Sequence, residues 1–149
     1  MNRDFVEMLS VLSGANVEFM VVGAHALAAH GQPRATGDLD VWVRPSVENA
    51  ERVLHALKRF GAPLLDLTLD DLARAGTVFQ IGVPPSRIDI LNDISGLTFD
   101  EAWPRRATLK IEGVPVAVIG REDFILNKRA AGRPKDLADI ALLDEAEGR

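Results

Sequence analysis

Two aspartates at alternate positions in an apolar run are the residues of this chain best suited to chemistry. Asp38 and Asp40 stand in the run DLDVWV (residues 38–43), whose β-branched and aromatic residues favour a strand although aspartate is depleted in strands. Period-two alternation puts both carboxylates on one face, with about 7 Å between their Cα atoms. Two negative charges held this close require a nearby cation, and carboxylate oxygens are ligands that Mg²⁺ prefers.

A third aspartate has the same kind of surroundings. Asp89 lies in the run RIDIL, and its isoleucine neighbours would occupy the opposite face of a strand. If this strand lies beside the first, three carboxylates converge on one patch and form an oxygen cage for one or two Mg²⁺ (or Mn²⁺) ions. Two structural interpretations stay open: Asp38 and Asp40 as turn or capping residues beside Gly37, and Asp89 as the partner of Arg87.

Basic residues gather near the C-terminus although the net charge of the chain is -5. Taken singly, the lysines of this segment could equally be solvated helix residues. Two acidic residues that follow, Asp136 and Asp139, fit a structural role in the first turns of a helix. The basic residues between positions 121 and 135 are Arg121, Lys128, Arg129, Arg133 and Lys135, against Glu122 and Asp123.

The elements that would position these groups form one α/β domain spanning residues 1–149, with a mixed central sheet, flanking helices and a helical C-terminal tail. Ser46 is a good N-cap, and Pro134 suits the first turn of the last helix. Apolar periodicity predicts helices over residues 5–12, 24–30, 47–60, 70–75, 122–131 and 135–146, and strands over 17–22, 38–43, 77–83, 87–91, 107–111 and 114–119.

Composition excludes several classes of protein. The chain has no cysteine, so disulfides and thiolate metal sites are impossible, and a reducing cytoplasm is the expected compartment. No apolar run is long enough to cross a membrane, and the negative charge disfavours general nucleic-acid binding. The glycine-rich phosphate loop, the dinucleotide fingerprint and the serine nucleophile elbow are all absent from the sequence.

In this order, the motifs resemble the nucleotidyltransferase superfamily of the DNA polymerase beta type, especially its small stand-alone bacterial members. The resemblance covers about residues 19–143. It includes the closing motif of abortive-infection nucleotidyltransferase toxins and implies a nucleotidyltransferase fold. The matching runs are VGA at 22–24, GDLDV at 37–41, IDI at 88–90, NKR at 127–129 and RPKDLAD at 133–139.

The resemblance implies a function: transfer of a nucleoside monophosphate from a nucleoside triphosphate (NTP) to an acceptor hydroxyl. It implies that Asp38, Asp40 and Asp89 are the catalytic metal ligands, with Asp89 also helping to activate the acceptor. Amides after Gly23 would receive phosphate oxygens at the entrance of a helix. The remaining candidate nucleotide contacts are Ala24, Arg34, Thr36, Lys128, Arg133 and Lys135; Thr36 could equally be an ordinary turn residue.

One departure from the family pattern leaves a second function open. The family usually has Gly-Ser or Gly-Gly at the helix entrance, whereas this chain has Gly23-Ala24, which removes one hydroxyl donor to phosphate. The alternative is a weak or inactive nucleotide-binding module of a regulatory or antitoxin type. The acceptor could be RNA, a protein or a small molecule, and a partner protein or self-association could complete its site.

Overall fold

A six-stranded mixed sheet forms the centre of the protein in a computed structural model that describes residues 1–31 and 37–147. The strand order across the sheet is β3-β4-β2-β1-β6-β5. In the described part of the chain the strands are β1 (Phe19–Val22), β2 (Leu39–Val43), β3 (Val78–Ile81), β4 (Ile88–Leu91), β5 (Ala107–Ile111) and β6 (Val114–Val118).

Seven α-helices accompany these strands within the described ranges, and side-chain caps fix where several of them begin. Ser46 accepts a hydrogen bond from the Asn49 amide at the start of α3, while Thr68 and Thr98 form capping boxes. The helices are α1 (Arg3–Gly14), α2 (Gly23–Ala29), α3 (Val47–Phe60), α4 (Leu69–Ala73), α5 (Phe99–Ala102), α6 (Arg121–Ala131) and α7 (Pro134–Glu147).

Strand direction changes across the sheet. Strand β2 pairs antiparallel with β1 and parallel with β4, and β1 pairs parallel with β6. The two remaining pairs, β3 with β4 and β5 with β6, are antiparallel hairpins. The aspartate strand β2 is therefore internal, with β4 as its neighbour on one side and β1 on the other.

The core lies between the sheet and its helices. Strand β1 is buried along its whole length, as expected for a central strand covered on both faces. The two C-terminal helices belong to this core, because Phe124 of α6 and Leu143 of α7 are fully buried. Other fully buried side chains include Phe5, Met8, Leu9, Leu12, Met20, Leu27, Leu39, Trp42, Leu57 and Ile88.

The predicted α/β class, the mixed sheet and the helical tail are confirmed. Two details differ from the sequence-based expectation. Helix α5 and the 3₁₀ turn Trp103–Arg105 that follows it were not predicted, because four residues are too few to show a helical period. Val47, an apolar residue of the helix predicted over 47–60 from its apolar period, is exposed since it begins that helix. No helix of the described residues has the length and apolarity needed to span a bilayer.

Candidate active site

The pairing of β2 with β4 brings the three predicted aspartates to one patch. Asp40 lies directly opposite Asp89 in the parallel register. Asp38 stands two residues before Asp40 at the entrance of β2. Because side chains alternate along a strand, Asp38 and Asp40 share a face, while Ile88 and Ile90 of β4 are buried on the other.

The first residue of α2 lies against this patch. Asp40 pairs with Val22 across the β1–β2 ladder, and Gly23 follows with a φ of +70°. A Cβ atom at Gly23 would overlap the Oδ2 atom of Asp40. Glycine is therefore needed here both for its left-handed backbone and for the close approach of the carboxylate.

Asp40 has an unusually high proton affinity. Burial raises its pKa, and the negative charges of Asp89 and Asp38 raise it further, to about 6. Lys128 and Lys135 oppose this effect, so the helical tail brings positive charge close to the carboxylates. A carboxyl pKa raised by burial and by neighbouring like charges is common at sites that bind a cation or perform acid–base chemistry.

Arg87 is the cation in direct contact with this patch. Its Nε and Nη2 atoms donate to Oδ1 and Oδ2 of Asp89, both at 3.0 Å. Nε also lies 3.4 Å from Oδ2 of Asp38. The hydrogen bond to Asp89 raises the pKa of Arg87 above its ordinary value. Spacing along the chain predicted only the Arg87–Asp89 pair, as an alternative role for Asp89; the contact with Asp38 follows from strand pairing.

The donor set suits a hard divalent ion in its chemistry. Three carboxylates supply oxygens, and burial together with the charges of Asp89 and Asp38 raises the pKa of Asp40. Within the described part of the chain, however, no three acidic or imidazole groups lie close enough to hold one ion as they stand. Two of the three carboxylates, those of Asp38 and Asp89, contact Arg87 instead.

Lys128 of the tail is buried in an ion-pair cluster. Its Nζ lies 3.3 Å from Oδ1 of Asp136 and 3.5 Å from Oδ2 of Asp139, and its side chain is 9% exposed. Both aspartates are buried. Lys128 therefore joins α6 to α7, a contact that the expected role of Asp136 and Asp139 in the first turns of a helix did not include, while its charge still acts on Asp40.

The two basic residues at the start of α7 are more accessible. Arg133 donates through Nε and its backbone amide to Oδ2 of Asp136, at 2.7 and 3.1 Å, and its side chain is 60% exposed. Lys135 is exposed in the first turn of α7. Both interact electrostatically with Asp40, so the tail presents two solvent-facing cations near the carboxylates.

The remaining candidates lie at the entrance of α2 or outside the described residues. Ala24 is partly exposed and neighbours Gly37, whose added Cβ would lie 3.6 Å from its own. His25 packs edge-to-face on Phe5, and its Nε2 lies 3.3 Å from the Gly37 carbonyl oxygen, so it has a packing role there. Arg34 and Thr36 fall in residues 32–36, outside the described part of the chain.

Several solved structures share this fold along nearly the whole chain. A Thermotoga maritima protein classed provisionally as a nucleotidyltransferase superposes with a TM-score of 0.65 at 15% identity, covering 99% of this chain and 92% of the other. The antibiotic-resistance factor ANT(2'')-Ia gives 0.64 at 15%, covering 96% and 82%. The lincosamide antibiotic adenylyltransferase LnuA, with lincomycin bound, gives 0.61 at 11%, covering 97% and 96%.

The fold, with its strand-borne aspartates, is therefore that of a nucleotidyltransferase. No curated protein shows significant sequence similarity to the chain. A family profile nevertheless matches residues 3–144, and the chain belongs to that family, described as "Nucleotidyltransferase of unknown function (DUF6036)". The superfamily inferred from the motifs is confirmed, and the chain is a nucleotidyltransferase-family enzyme.

Proposed function

We propose that this protein transfers a nucleoside monophosphate from an NTP to an acceptor hydroxyl, with Mg²⁺ or Mn²⁺ bound by Asp38, Asp40 and Asp89. The observation that carries the proposal is the register of Asp40 opposite Asp89; the charges of two tail lysines act on this site, where they oppose the rise that burial and the neighbouring carboxylates cause in the pKa of Asp40. Nucleotidyl transfer chiefly needs positioning and neutralisation of spreading negative charge. The carboxylates, by holding a metal ion, and the exposed cations, by binding the triphosphate, supply both the positioning and the charge neutralisation.

The chemical step follows from these groups. The acceptor oxygen forms a bond to the α-phosphorus of the NTP, and the bond from that phosphorus to the bridging oxygen of pyrophosphate breaks. Pyrophosphate leaves with the electron pair, and Asp89 accepts the hydroxyl proton and passes it to solvent. A divalent ion, when bound, supplies charge neutralisation at the phosphate oxygens and makes the acceptor hydroxyl more acidic.

The triphosphate would lie between the entrance of α2 and the start of α7. Backbone amides after Gly23, including that of Ala24, are the proposed donors to phosphate, since the entrance of α2 approaches Asp40 so closely that a Cβ at Gly23 would overlap its Oδ2 atom. Lys135 and Arg133 are the exposed cations of the tail whose charges interact with Asp40. Lys128 contributes through its field from within the Asp136–Asp139 cluster. Arg34 and Thr36 remain proposed contacts from residues 32–36.

For the acceptor, we propose only that it carries the hydroxyl group that is modified. Two of the similar structures are an antibiotic-resistance factor, also solved with adenylyl-2''-tobramycin, and a lincosamide adenylyltransferase. Their small hydroxylated ligands make such a molecule the first class to test, beside RNA and protein hydroxyls. A partner protein or a second copy of the chain could complete the acceptor site.

The test measures transfer directly. The pure protein is incubated with each α-labelled NTP, Mg²⁺ or Mn²⁺, and separate pools of aminoglycosides and lincosamides, RNA, and protein. We expect label in one pool, loss of transfer with Asp40→Asn, and full transfer with the matched control Asp66→Asn, which changes an exposed aspartate. Equal transfer by the wild type and Asp40→Asn would refute the proposal.

A non-catalytic nucleotide-binding module is the second candidate. It is favoured by Arg87, whose guanidinium already compensates the charge of Asp89 through two hydrogen bonds, and by Ala24 at the helix entrance. Calorimetry separates the two functions. Binding of Mg²⁺–NTP without turnover in any acceptor pool supports the module, whereas turnover excludes it.

A further inference from the structure

The row of side chains that carries the aspartates continues to the outer edge of the sheet. Gln80 of β3 lies directly opposite Asp89 in the antiparallel register, and Asp89 lies directly opposite Asp40. Residues that stand opposite each other in an antiparallel pair share a face of the sheet, with about 4.5–5.5 Å between their Cβ atoms. The Gln80 side chain therefore lies beside the Asp89 carboxylate, on the side away from Asp40.

Burial along β3 agrees with this orientation. Gln80 is exposed, whereas its neighbours Phe79 and Ile81 are half-buried and buried. Phe79 pairs with Ile90 and Ile81 with Ile88, and both isoleucines of β4 belong to the core. Alternate residues of β3 thus face solvent. Because β3 is the outer strand of the sheet, a ligand can reach Gln80 from beyond this edge.

The order of the row separates the places of the two substrates. Asp40 pairs with Val22 of β1, so Gly23, whose following amides are the proposed donors to phosphate, lies at one end of the row. Gln80 lies beyond Asp89 at the other end. In an in-line displacement the attacking and leaving oxygens stand on opposite sides of the phosphorus. Since Asp89 is the proposed acceptor of the hydroxyl proton, the molecule that is modified would lie at the Gln80 end.

The other side chains at this edge are uncharged or already paired. Val78, which shares a face with Gln80, is 60% exposed and pairs with the half-buried Leu91 of β4. Arg87 is hydrogen-bonded to Asp89. Binding of RNA depends chiefly on lysine and arginine contacts to phosphate, and β3 contains neither residue. The edge instead suits a molecule that has apolar surface and hydroxyl groups.

We propose that Gln80 binds the acceptor, and that the acceptor is a small hydroxylated molecule without phosphate groups, which lies over Gln80 and Val78 at the outer edge of the sheet. This inference rests on the proposed function for the reaction and for the role of Asp89. The carboxamide of Gln80 both donates and accepts hydrogen bonds. It therefore holds a polar group next to the modified hydroxyl, while the proton of that hydroxyl passes to Asp89.

The first experiment makes the protein its own acceptor, so it does not require the natural one. The sequence has no cysteine, and Gln80→Cys therefore supplies a single thiol, to which hydroxyethyl methanethiosulfonate attaches a hydroxyethyl group through a disulfide. This side chain is slightly longer than that of lysine. Incubation with each α-labelled NTP and Mg²⁺ should transfer labelled nucleoside monophosphate to the tethered hydroxyl, with release of pyrophosphate. A reductant should then release the label together with the tether.

Two matched controls isolate the position and the hydroxyl. Thr108→Cys carries the same tether at an exposed position of β5, the opposite edge of the sheet, and Gln80→Cys with an ethyl tether lacks the nucleophile. The hydroxyl at position 80 should be labelled at least about tenfold faster than either control, because the tether gives it a high effective concentration at the site. Folded protein labelled no faster than the controls overturns the inference. So does a rate per molecule that falls on dilution, since label would then pass between molecules.

The second experiment tests the carboxamide itself, with the acceptor that takes label in the transfer assay. Gln80→Leu, which is similar in size and cannot hydrogen-bond, should raise the KM for that acceptor by about 3–10-fold, the loss of one neutral hydrogen bond. The KM for the NTP should not change. Thr108→Val, at an exposed position of β5, is the control and should leave both values unchanged. A raised KM for the NTP with an unchanged KM for the acceptor overturns the inference.

These outcomes are separable from the fate of the proposed function. Transfer to an acceptor pool without labelling of the tethered hydroxyl would keep the proposed enzyme and refute the role of Gln80. Transfer to RNA alone among the pools would refute the proposed class of acceptor. Absence of label both in every pool and on the tether would count against the enzyme and the inference together, and would favour the non-catalytic module.

Discussion

At Gly23 the backbone and a carboxylate occupy the space that a side chain would need. Gly23 has a φ of +70°, and a Cβ atom added to it would overlap the Oδ2 atom of Asp40. We expect Gly23→Ala to displace Asp40, to abolish nucleotidyl transfer and to lower stability by about 1–3 kcal/mol. Activity assays and urea unfolding measure the two effects.

A matched control separates steric contact from backbone strain. Gly61 has a φ of +89° but no neighbour within 4 Å of an added Cβ, and it ends α3 far along the chain from the aspartates. Gly61→Ala should therefore lose about 1 kcal/mol of stability from strain alone and keep its activity. Similar activity of the two variants would mean that the contact of Gly23 with Asp40 has no role.

Lys135 offers a test of the tail as a phosphate-binding element. It is exposed, and its charge lowers the pKa of Asp40. We expect Lys135→Ala to raise the KM for the NTP by about 3–10-fold with little change in stability, because a contact to phosphate contributes mainly to binding. Lys110→Ala, at an exposed position of β5, is the control. An unchanged KM would remove Lys135 from the site.

At the scale of elements, a buried charge cluster joins α6 to α7. Burial raises the pKa of Asp136, but hydrogen bonds from Arg133 and the interactions with Lys128 outweigh it and lower the pKa to about 2, from 3.8. The ionised form is thus favoured in the folded state. Its contribution, about 2 kcal/mol, is complete above pH 4 and is lost as the pH falls toward 2.

Asp136→Asn should expose this pH dependence. The variant is expected to be about 2 kcal/mol less stable than the wild type at pH 7, and the difference should shrink between pH 4 and pH 2. Urea unfolding followed by circular dichroism at several pH values measures it. Asp70→Asn, in an exposed pair with Arg74, should show a much smaller difference. A difference for Asp136→Asn that is constant with pH would contradict the assigned cause.

The sequence predicted most elements but not the contacts between them. Alternation placed Asp38 and Asp40 on one face, and helix-capping residues located the start of α3. The parallel register of β2 with β4 could not be derived, because strand order depends on how the helices cover the whole sheet. For the same reason Arg87 could be paired with Asp89 by spacing, whereas its contact with Asp38 required the neighbouring strand.

Burial was the second quantity that local sequence left undetermined. Lys128 was predicted as an exposed phosphate contact or a solvated residue, yet it is buried between Asp136 and Asp139. The aspartates that surround Lys128 lie in α7, and the helical period of α6 does not predict which residues of another helix pack against it. Asp136 and Asp139 fall at i and i+3 of one helix, and this spacing was the available signal for a shared partner.

At the scale of the whole molecule, the site is assembled from distant parts of the chain. The aspartates come from strands β2 and β4, whereas the cations come from the last two helices. These helices contribute fully buried side chains to the common core. We therefore expect residues 1–149 to behave as one domain, in which the tail cannot unfold while the sheet remains folded.

Coincident unfolding transitions would establish this coupling. In a Trp103→Phe background, fluorescence reports on Trp42, which is 1% exposed and packs edge-to-face against Phe99, while far-ultraviolet circular dichroism reports on all helices. Both probes should give one urea midpoint. Phe124→Leu, a tail change expected to cost about 1–2 kcal/mol, less than the ~3–5 kcal/mol of truncation to alanine, should shift both midpoints equally. A tail that folded separately would instead produce a transition in circular dichroism at low urea while the Trp42 fluorescence stayed unchanged. In that case the cations of α7 would reach the carboxylates only by docking of the tail on the sheet, and not through a shared core.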